Sequence, residues 1–432
     1  MFVADCLEIS SAGHLTIGGR DTVELAQTFG TPLYVMDENE IRRACRSYKK
    51  SIDSHYSGKG MVAYASKAFS CKEICRIAME EGLGLDVVSG AELYTALSVG
   101  FPAEKLIFHG NNKTPQELAY AVDSGVGRIV VDNGFELEML NQIAASANKT
   151  IHIQLRIKPG VEAHTHEFVM TGQIDSKFGF ALETGEAMEA VQSALGMQNL
   201  YLCGVHCHIG SQIFDIDPFK EAARIMLGFM ADVYSQHSFQ IEELNLGGGF
   251  GIKYLPSHNP VEYDSYMRAV AQTVQQVCEQ RGVPMPFVII EPGRSIVGPA
   301  GVTLYKVGGI KEIPGVRTYV SVDGGMADNP RYALYGSEYE MLIADRAAQP
   351  KNKTYTVAGR CCESGDLLGQ NIPLQEPKVG ETLAVLATGA YNYAMSSNYN
   401  RLPKPAVVFV RNGEARVVVK RETYEDVVRN DL

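Results

Sequence analysis

From about residue 60 to residue 293 the chain repeats one rhythm of apolar and polar positions. Short runs rich in β-branched residues end in small or polar residues, and a stretch with helical spacing follows each. The runs are MVAYASK (61–67), GLDVVS (84–89), LIFHG (106–110), RIVVD (128–132), IHIQLRI (151–157), CGVHCHIG (203–210), ELNLGGGF (243–250) and FVIIEPG (287–293). Strands that are apolar almost throughout are buried on both faces, as in parallel sheets with helical crossovers. Eight such units predict a closed, TIM-like eight-stranded parallel β/α barrel in preference to an open doubly wound sheet. Among the helices, TPQELAYAVDSG carries Thr114 as N-cap, Pro115 at the first helical position and Glu117 to complete a capping box.

After residue 300 the pattern changes. GVTLYKVGGI, RTYVSVDGG, TYTVAG, ETLAVLATG, PAVVFVRNG and EARVVVKRE read as strands joined by Gly-, Pro- and Asn-rich turns, which predicts a mainly antiparallel β domain. The opening segment, with HLTIGG and TPLYVMD, has the same character and is expected to join that domain. The expected division is a barrel over 38–282, its last strand (287–293) at the boundary, and a β-sandwich-like domain from 1–37 and 283–432.

Composition narrows the function classes. A formal charge of −11 argues against nucleic-acid binding, which needs a basic face. No window is apolar enough to span a membrane, and MFVADCLEIS lacks the basic start and apolar stretch of a secretory signal. Nine cysteines without framework spacing predict reduced thiols in the cytoplasm.

Reactive groups of a parallel barrel gather at the C-terminal ends of its strands. Strand one ends in Lys67, either a lysine snorkelling at a strand edge or an amine able to bond a carbonyl. Strand six carries Cys203, His206, Cys207 and His208. Alternation sets the two histidines on one face and the two cysteines on the other, so no metal is expected. His208 can offer a flat ring to a planar ligand, with Ser211 just beyond. The LGGGFG and EPGR segments follow strands seven and eight, where barrels often bind phosphate through exposed backbone N–H groups. Arg294 can add charge-assisted bonds there. Glu291, beside it, suits a protonated ring nitrogen instead. An amine, a stacking ring, a phosphate cradle and a carboxylate are together what pyridoxal phosphate needs.

YASKA, HIGSQ, LNLGGGFG, EPGR, CCESGD and GAYNYAMSSNYNRLPKP, in that order over nearly the whole length, resemble the fold-type III pyridoxal-phosphate decarboxylases. The likeness is greatest to the branch that converts meso-diaminopimelate to L-lysine and CO2, the last step of lysine biosynthesis. The resemblance implies a homodimer with two shared active sites. It makes Lys67 the covalent holder of the cofactor, His208 the stacking ring and Glu291 the partner of the ring nitrogen. Ser211, Gly248, Gly249, Gly293, Arg294 and Tyr391 would surround the phosphate or the neighbouring substrate. Asp86, in GLDVVSGAEL, matches a family acid near the lysine and reads equally well as a solvated strand end.

The resemblance also assigns substrate groups. Arg294, Arg331 and Tyr335 would grip the distal carboxylate, with Tyr391 nearby, and Glu363 would take the distal ammonium, with Ser364 either adding a bond or only forming a turn. Arg331 stands in NPRY, where many relatives carry a proline after the arginine, and a slight change of the loop is expected. In CCESGD, Cys362 would be the proton donor reaching in from the partner subunit and Cys361 a packed structural thiol. Other decarboxylases of this family act on ornithine, lysine, arginine or carboxynorspermidine. Many of these carry CDG where CESGD stands here. A racemase of this fold would place arginine at Glu291, and a non-catalytic cofactor-binding paralogue would be expected to have lost Lys67 or Cys362.

Overall fold

The computed structural model describes residues 2–161 and 176–432, and the chain divides into two compact units. One comprises Met1–Arg43, Ile252–Asn259 and Arg294–Leu432; the other comprises Ala44–Gly251 and Pro260–Gly293.

The second of these units is the barrel. Its strands are Gly60–Ala65, Gly84–Val87, Leu106–Phe108, Arg128–Val131, Ile151–Lys158, Leu200–His206, Glu243–Asn245 and Phe287–Ile290. All neighbours pair in parallel, and the eighth strand returns to the first through Val288↔Gly60, Ile289↔Met61 and Ile290↔Val62, so the sheet closes. A two-residue strand, Phe180–Ala181, is added beside the fifth. The capping box at Thr114 forms, with Glu117 Oε2 accepting the Thr114 N–H at 3.1 Å.

Inside the barrel, Ala63, Ile107, Val130 and Ile289 make an apolar layer flanked by Met61 and Phe287. At about 1.5–3 kcal/mol for each large aliphatic side chain buried, so thin a layer is a modest part of the core. Much of the rest of the interior holds polar side chains, among them Gln154, Glu243, Asn245, His206 and Glu291, all buried. Such groups must satisfy one another or destabilise the fold.

The sixth strand departs from its expected form. It ends at His206 rather than running over 203–210, and its register shifts between Leu202 and Gly204, which makes Cys203 a bulge. The extra residue resets the alternation. Cys203 Sγ lies 3.6 Å from Glu243 Oε2, and His206 Nε2 lies 3.2 Å from Glu291 Oε2, so both reach the same buried polar set. The separation of histidines from cysteines by strand alternation therefore does not hold at Cys203.

The other unit is a nine-stranded sheet built around Gly301–Ile313, which pairs antiparallel with Leu33–Asp37, Arg317–Val322 and Thr382–Leu386. Two pairings are parallel, Leu33–Asp37 with Ala406–Arg411 and Arg317–Val322 with Lys353–Ala358. TPLYVMD joins this sheet as expected. HLTIGG belongs to the same unit, as expected, but to a separate three-stranded sheet, in which Leu15–Ile17 pairs with Leu7–Ile9 and Arg20–Asp21. Met341–Ile343 and Leu367–Leu374 are strands that the sequence pattern did not reveal. Among the described residues no helix is long and apolar enough to cross a membrane.

Candidate active site

The first barrel strand ends at Ala65, and a single 3₁₀ turn, Ser66–Ala68, carries Lys67. The turn leaves Lys67 exposed while Ser66 and Ala68 are buried. Its positive charge bears on Asp86 and on His208, lowering the pKa of each. Asp86, at the end of strand two, is 2 % exposed, so it is not a solvated strand end. Burial, aided by the negative charge of Glu291, raises its pKa against the pull of His109 and Lys67.

Glu291 follows strand eight directly, held by its N–H donating to Gly247 O at 2.8 Å. Its Oε1 accepts from His109 Nε2 and from Asn245 Nδ2, both at 2.7 Å, and its Oε2 accepts from His206 Nε2 at 3.2 Å. Burial alone would push this carboxyl up. The two imidazoles outweigh it and hold Glu291 well below the ordinary carboxylate range. His206 is itself pushed down to about 3, chiefly by burial, and is neutral at pH 7. With Nε2–H given to the carboxylate, its Nδ1 is an acceptor, and that atom is buried without a hydrogen-bond partner among the described residues.

His109, His206 and Glu291 are close enough together to suggest a metal centre. The spacings of 2.7 and 3.2 Å are those of hydrogen bonds from the two Nε2 atoms to the carboxylate. Neither histidine was singled out as a partner of Glu291 from the sequence. His109 stands one residue past strand three, Leu106–Phe108, so the strand-end rule applied to LIFHG would have found it.

His208 lies two residues beyond strand six, partly buried, and its Nδ1 accepts the Gly248 N–H at 3.3 Å. Burial, then the charges of Lys67 and Arg156, push its pKa well below the usual value, so the ring is neutral. Ser211 sits in the following loop, which Ile213 ties to the glycine loop by donating its N–H to Gly249 O at 3.0 Å. Gly248 and Gly249 are required by space and backbone. A Cβ on Gly248 would stand 2.2 Å from Glu291 O, and Gly249 has φ +121°. Gly293 closes the loop after strand eight, where Pro292 O accepts the Ala65 N–H at 3.1 Å and so brings it beside the end of strand one.

The other expected residues belong to the other unit. Arg294 Nη1 donates to Tyr254 Oη at 2.6 Å, and its guanidinium lies 4.7 Å from the Tyr391 ring centre. Arg331 opens the short helix Arg331–Tyr335 and stands 5.6 Å from the same ring and 5.7 Å from that of Tyr335. Two arginines thus share one aromatic platform, Tyr391, which has φ +60°. The Arg331 Nε is buried without an acceptor among the described residues. In NPRY, Pro330 serves as the N-cap of that helix.

Cys362, Glu363 and Ser364 are all exposed on the loop between the strands Lys353–Ala358 and Leu367–Leu374. Cys362 N–H donates to Asn400 Oδ1 at 2.7 Å, and Glu363 Oε1 accepts from Gly365 N–H at 3.1 Å. The loop is anchored by Asp366, which was not foreseen. Its buried carboxylate accepts N–H groups of Met326 and Cys361, both at 2.6 Å, and so ties together the two loops that carry Arg331 and Cys362. Cys361, half-buried beside Asp366, is pushed up to about 12 by burial and by that negative charge.

Residues 38–298 match the model of the pyridoxal-dependent decarboxylase pyridoxal-binding domain. The chain is 51% identical to the diaminopimelate decarboxylase of Bacillus subtilis, over 100% of this chain and 98% of that protein. It is 49% identical to the enzyme of the same name from Bacillus methanolicus, over 98% of each. Among solved structures, diaminopimelate decarboxylase of M. jannaschii in complex with L-lysine is similar, with a TM-score of 0.92 and 37% identity over 100% of this chain and 99% of that one. The barrel residues fit the cofactor these names imply. Among the described residues Asp86 Oδ1 and His206 Nδ1 are buried acceptors without a hydrogen-bond partner near the ionised Glu291, and the glycine loop leaves no room for side chains.

Proposed function

The chain belongs to the pyridoxal-dependent decarboxylases, and within them to the diaminopimelate decarboxylases, and from that premise we propose how its residues act. The reaction is the decarboxylation of meso-diaminopimelate to L-lysine and CO2, with pyridoxal 5′-phosphate as cofactor. The observation that carries the reading is Glu291, buried and held ionised by three donors. Bound pyridoxal phosphate supplies an electron sink for the bond that loses CO2, and an anion facing its ring nitrogen keeps that sink strong.

Lys67 would hold the cofactor covalently, and the neutral ring of His208 would stack on its ring. Gly248, Gly249 and Gly293, at positions where a side chain would clash with neighbouring atoms, would take the phosphate with Ser211 and Arg294. Asp86, its pKa raised to about 6 by burial, lies close enough to Lys67 and Glu291 to respond to the charge of either. Arg294, Arg331 and Tyr335 hold the distal carboxylate of the substrate beside Tyr391, an arrangement supported by the paired guanidinium groups and the unsatisfied Arg331 Nε. Glu363, with Ser364, takes the distal ammonium. Cys362 returns a proton to the α-carbon after CO2 has left.

Cys362, Glu363 and Ser364 are exposed in the single chain, which supports their service to the site of a second copy in a homodimer. All nine cysteines are free thiols, in keeping with a cytoplasmic enzyme.

The test is a substrate panel. Purified protein should release CO2 and form L-lysine from meso-diaminopimelate and barely act on L-lysine or L-ornithine. Lysine has no distal carboxylate and would leave buried guanidinium charge unpaired, enough for discrimination of roughly a hundredfold. Comparable turnover of lysine and diaminopimelate would overturn the substrate assignment.

A further inference from the structure

An unbroken line of side-chain hydrogen bonds crosses the barrel interior and ends on Glu291. Arg128 donates from Nε to Glu243 Oε2 at 2.7 Å, and its second nitrogen, Nη2, bonds Glu243 Oε1. Gln154 Nε2 donates to the same Glu243 Oε2 at 2.7 Å. Asn245 Nδ2 donates twice, to Gln154 Oε1 at 3.1 Å and to Glu291 Oε1 at 2.7 Å, and Asn245 Oδ1 accepts the Gly247 N–H at 3.0 Å. Gln154 and Asn245 are fully buried, so no water competes for these bonds.

The line can run in only one sense. Arg128 can only donate and an ionised Glu243 can only accept, so the Gln154 amide must turn its nitrogen to Glu243 and its oxygen to Asn245. Reversing Asn245 would set its oxygen against Gln154 Oε1 and against the Glu291 carboxylate, and its nitrogen against the Gly247 N–H. The sense established at Arg128 therefore arrives at Glu291 as a donor on Oε1. His109 donates to that oxygen as well, whereas Oε2 receives, among the described residues, only the longer His206 bond and keeps acceptor capacity.

We propose that Asn245, oriented through Gln154 by the Arg128–Glu243 pair, is a positioning residue that fixes the Glu291 carboxylate so that Oε2 is the oxygen offered to the cofactor's ring nitrogen. This rests on the reading of Glu291 as the partner of that nitrogen. A purely structural role would make the line a satisfied polar core and nothing more. The two roles differ in one respect: only the positioning role depends on the ring nitrogen.

The experiment compares binding of pyridoxal phosphate and of an analogue with C–H in place of the ring nitrogen to cofactor-stripped wild type, Asn245→Leu and Gln154→Met. Both ligands engage the lysine and the phosphate loops alike. In Asn245→Leu, affinity for pyridoxal phosphate should fall about tenfold, as for loss of alignment in one charge-assisted hydrogen bond, while analogue affinity changes by less than about twofold. Gln154→Met, two bonds from Glu291, should show the same selectivity with a loss of about threefold, and it carries the test if Asn245→Leu does not fold. Equal losses for both ligands, or no loss for either, would overturn the positioning role. Wild type that binds both ligands equally would overturn the Glu291 assignment beneath it, and wild type that binds neither would overturn the cofactor itself.

Discussion

At the scale of single residues, the groups legible in the sequence were those that end a strand within a motif, Lys67 and Glu291 above all. Asp86 was legible as a position but not as an environment, because burial depends on what closes over it, and one strand's pattern does not carry that. Asn245 and Gln154 were passed over for a related reason: their partners come from other strands, and only the closed barrel brings them together. The buried histidines have a consequence in solution. His206 has a folded pKa of about 3 against an ordinary value of 6.5, with burial the main cause. Between those values the unfolded chain binds a proton that the folded one does not, so stability falls as pH falls through this window. The slope from one such group is about 1.4 kcal/mol per pH unit. His206→Gln keeps a donor for Glu291 and removes the titration. Chemical denaturation of the cofactor-free protein from about pH 6.5 downward should show a shallower loss of stability in this variant than in wild type. Parallel curves would mean that His206 is protonated in the fold.

At the scale of elements, the eight-unit rhythm marked every barrel strand, because parallel strands buried on both faces leave a strong apolar signal. It marked their ends less well. The sixth strand stops at His206 and bulges at Cys203, and nothing in CGVHCHIG signals an extra residue that depends on pairing with its neighbour. In the other unit Leu367–Leu374 escaped notice because LLGQNIPL holds Gly, Asn and Pro. The glycine loop after strand seven was legible as a motif, and the structure adds the reason for Gly248. Its missing side chain lets this loop lie against the backbone of Glu291. Gly248→Ala should force the two loops apart, with a loss of stability of about 1–3 kcal/mol and weaker cofactor binding. Gly134→Ala is the control, since a Cβ there meets nothing within 4 Å. Denaturation curves and cofactor titrations that could not tell the two variants apart would show that the close approach at Gly248 is not needed.

At the scale of the whole molecule, the residues assigned to chemistry fall into a barrel set around Lys67 and Glu291 and a second set on loops of the other unit. CCESGD was legible as a motif because of its resemblance, but its exposure in the single chain was not, since exposure follows from the packing around a loop. An exposed thiol, carboxylate and hydroxyl in sequence are understandable if a second copy of the chain supplies the surface they face. The most direct measurement is turnover of meso-diaminopimelate by mixed dimers of Lys67→Ala and Cys362→Ala. Each variant alone should be nearly inactive. Unfolded together in equal amounts and refolded, they should form mixed dimers as half of the population, each with one site bearing both changes and one bearing neither. Random pairing should therefore restore about a quarter of the wild-type activity. No recovery, with mixed dimers demonstrated by mass spectrometry, would mean that Cys362 does not complete the site of its partner.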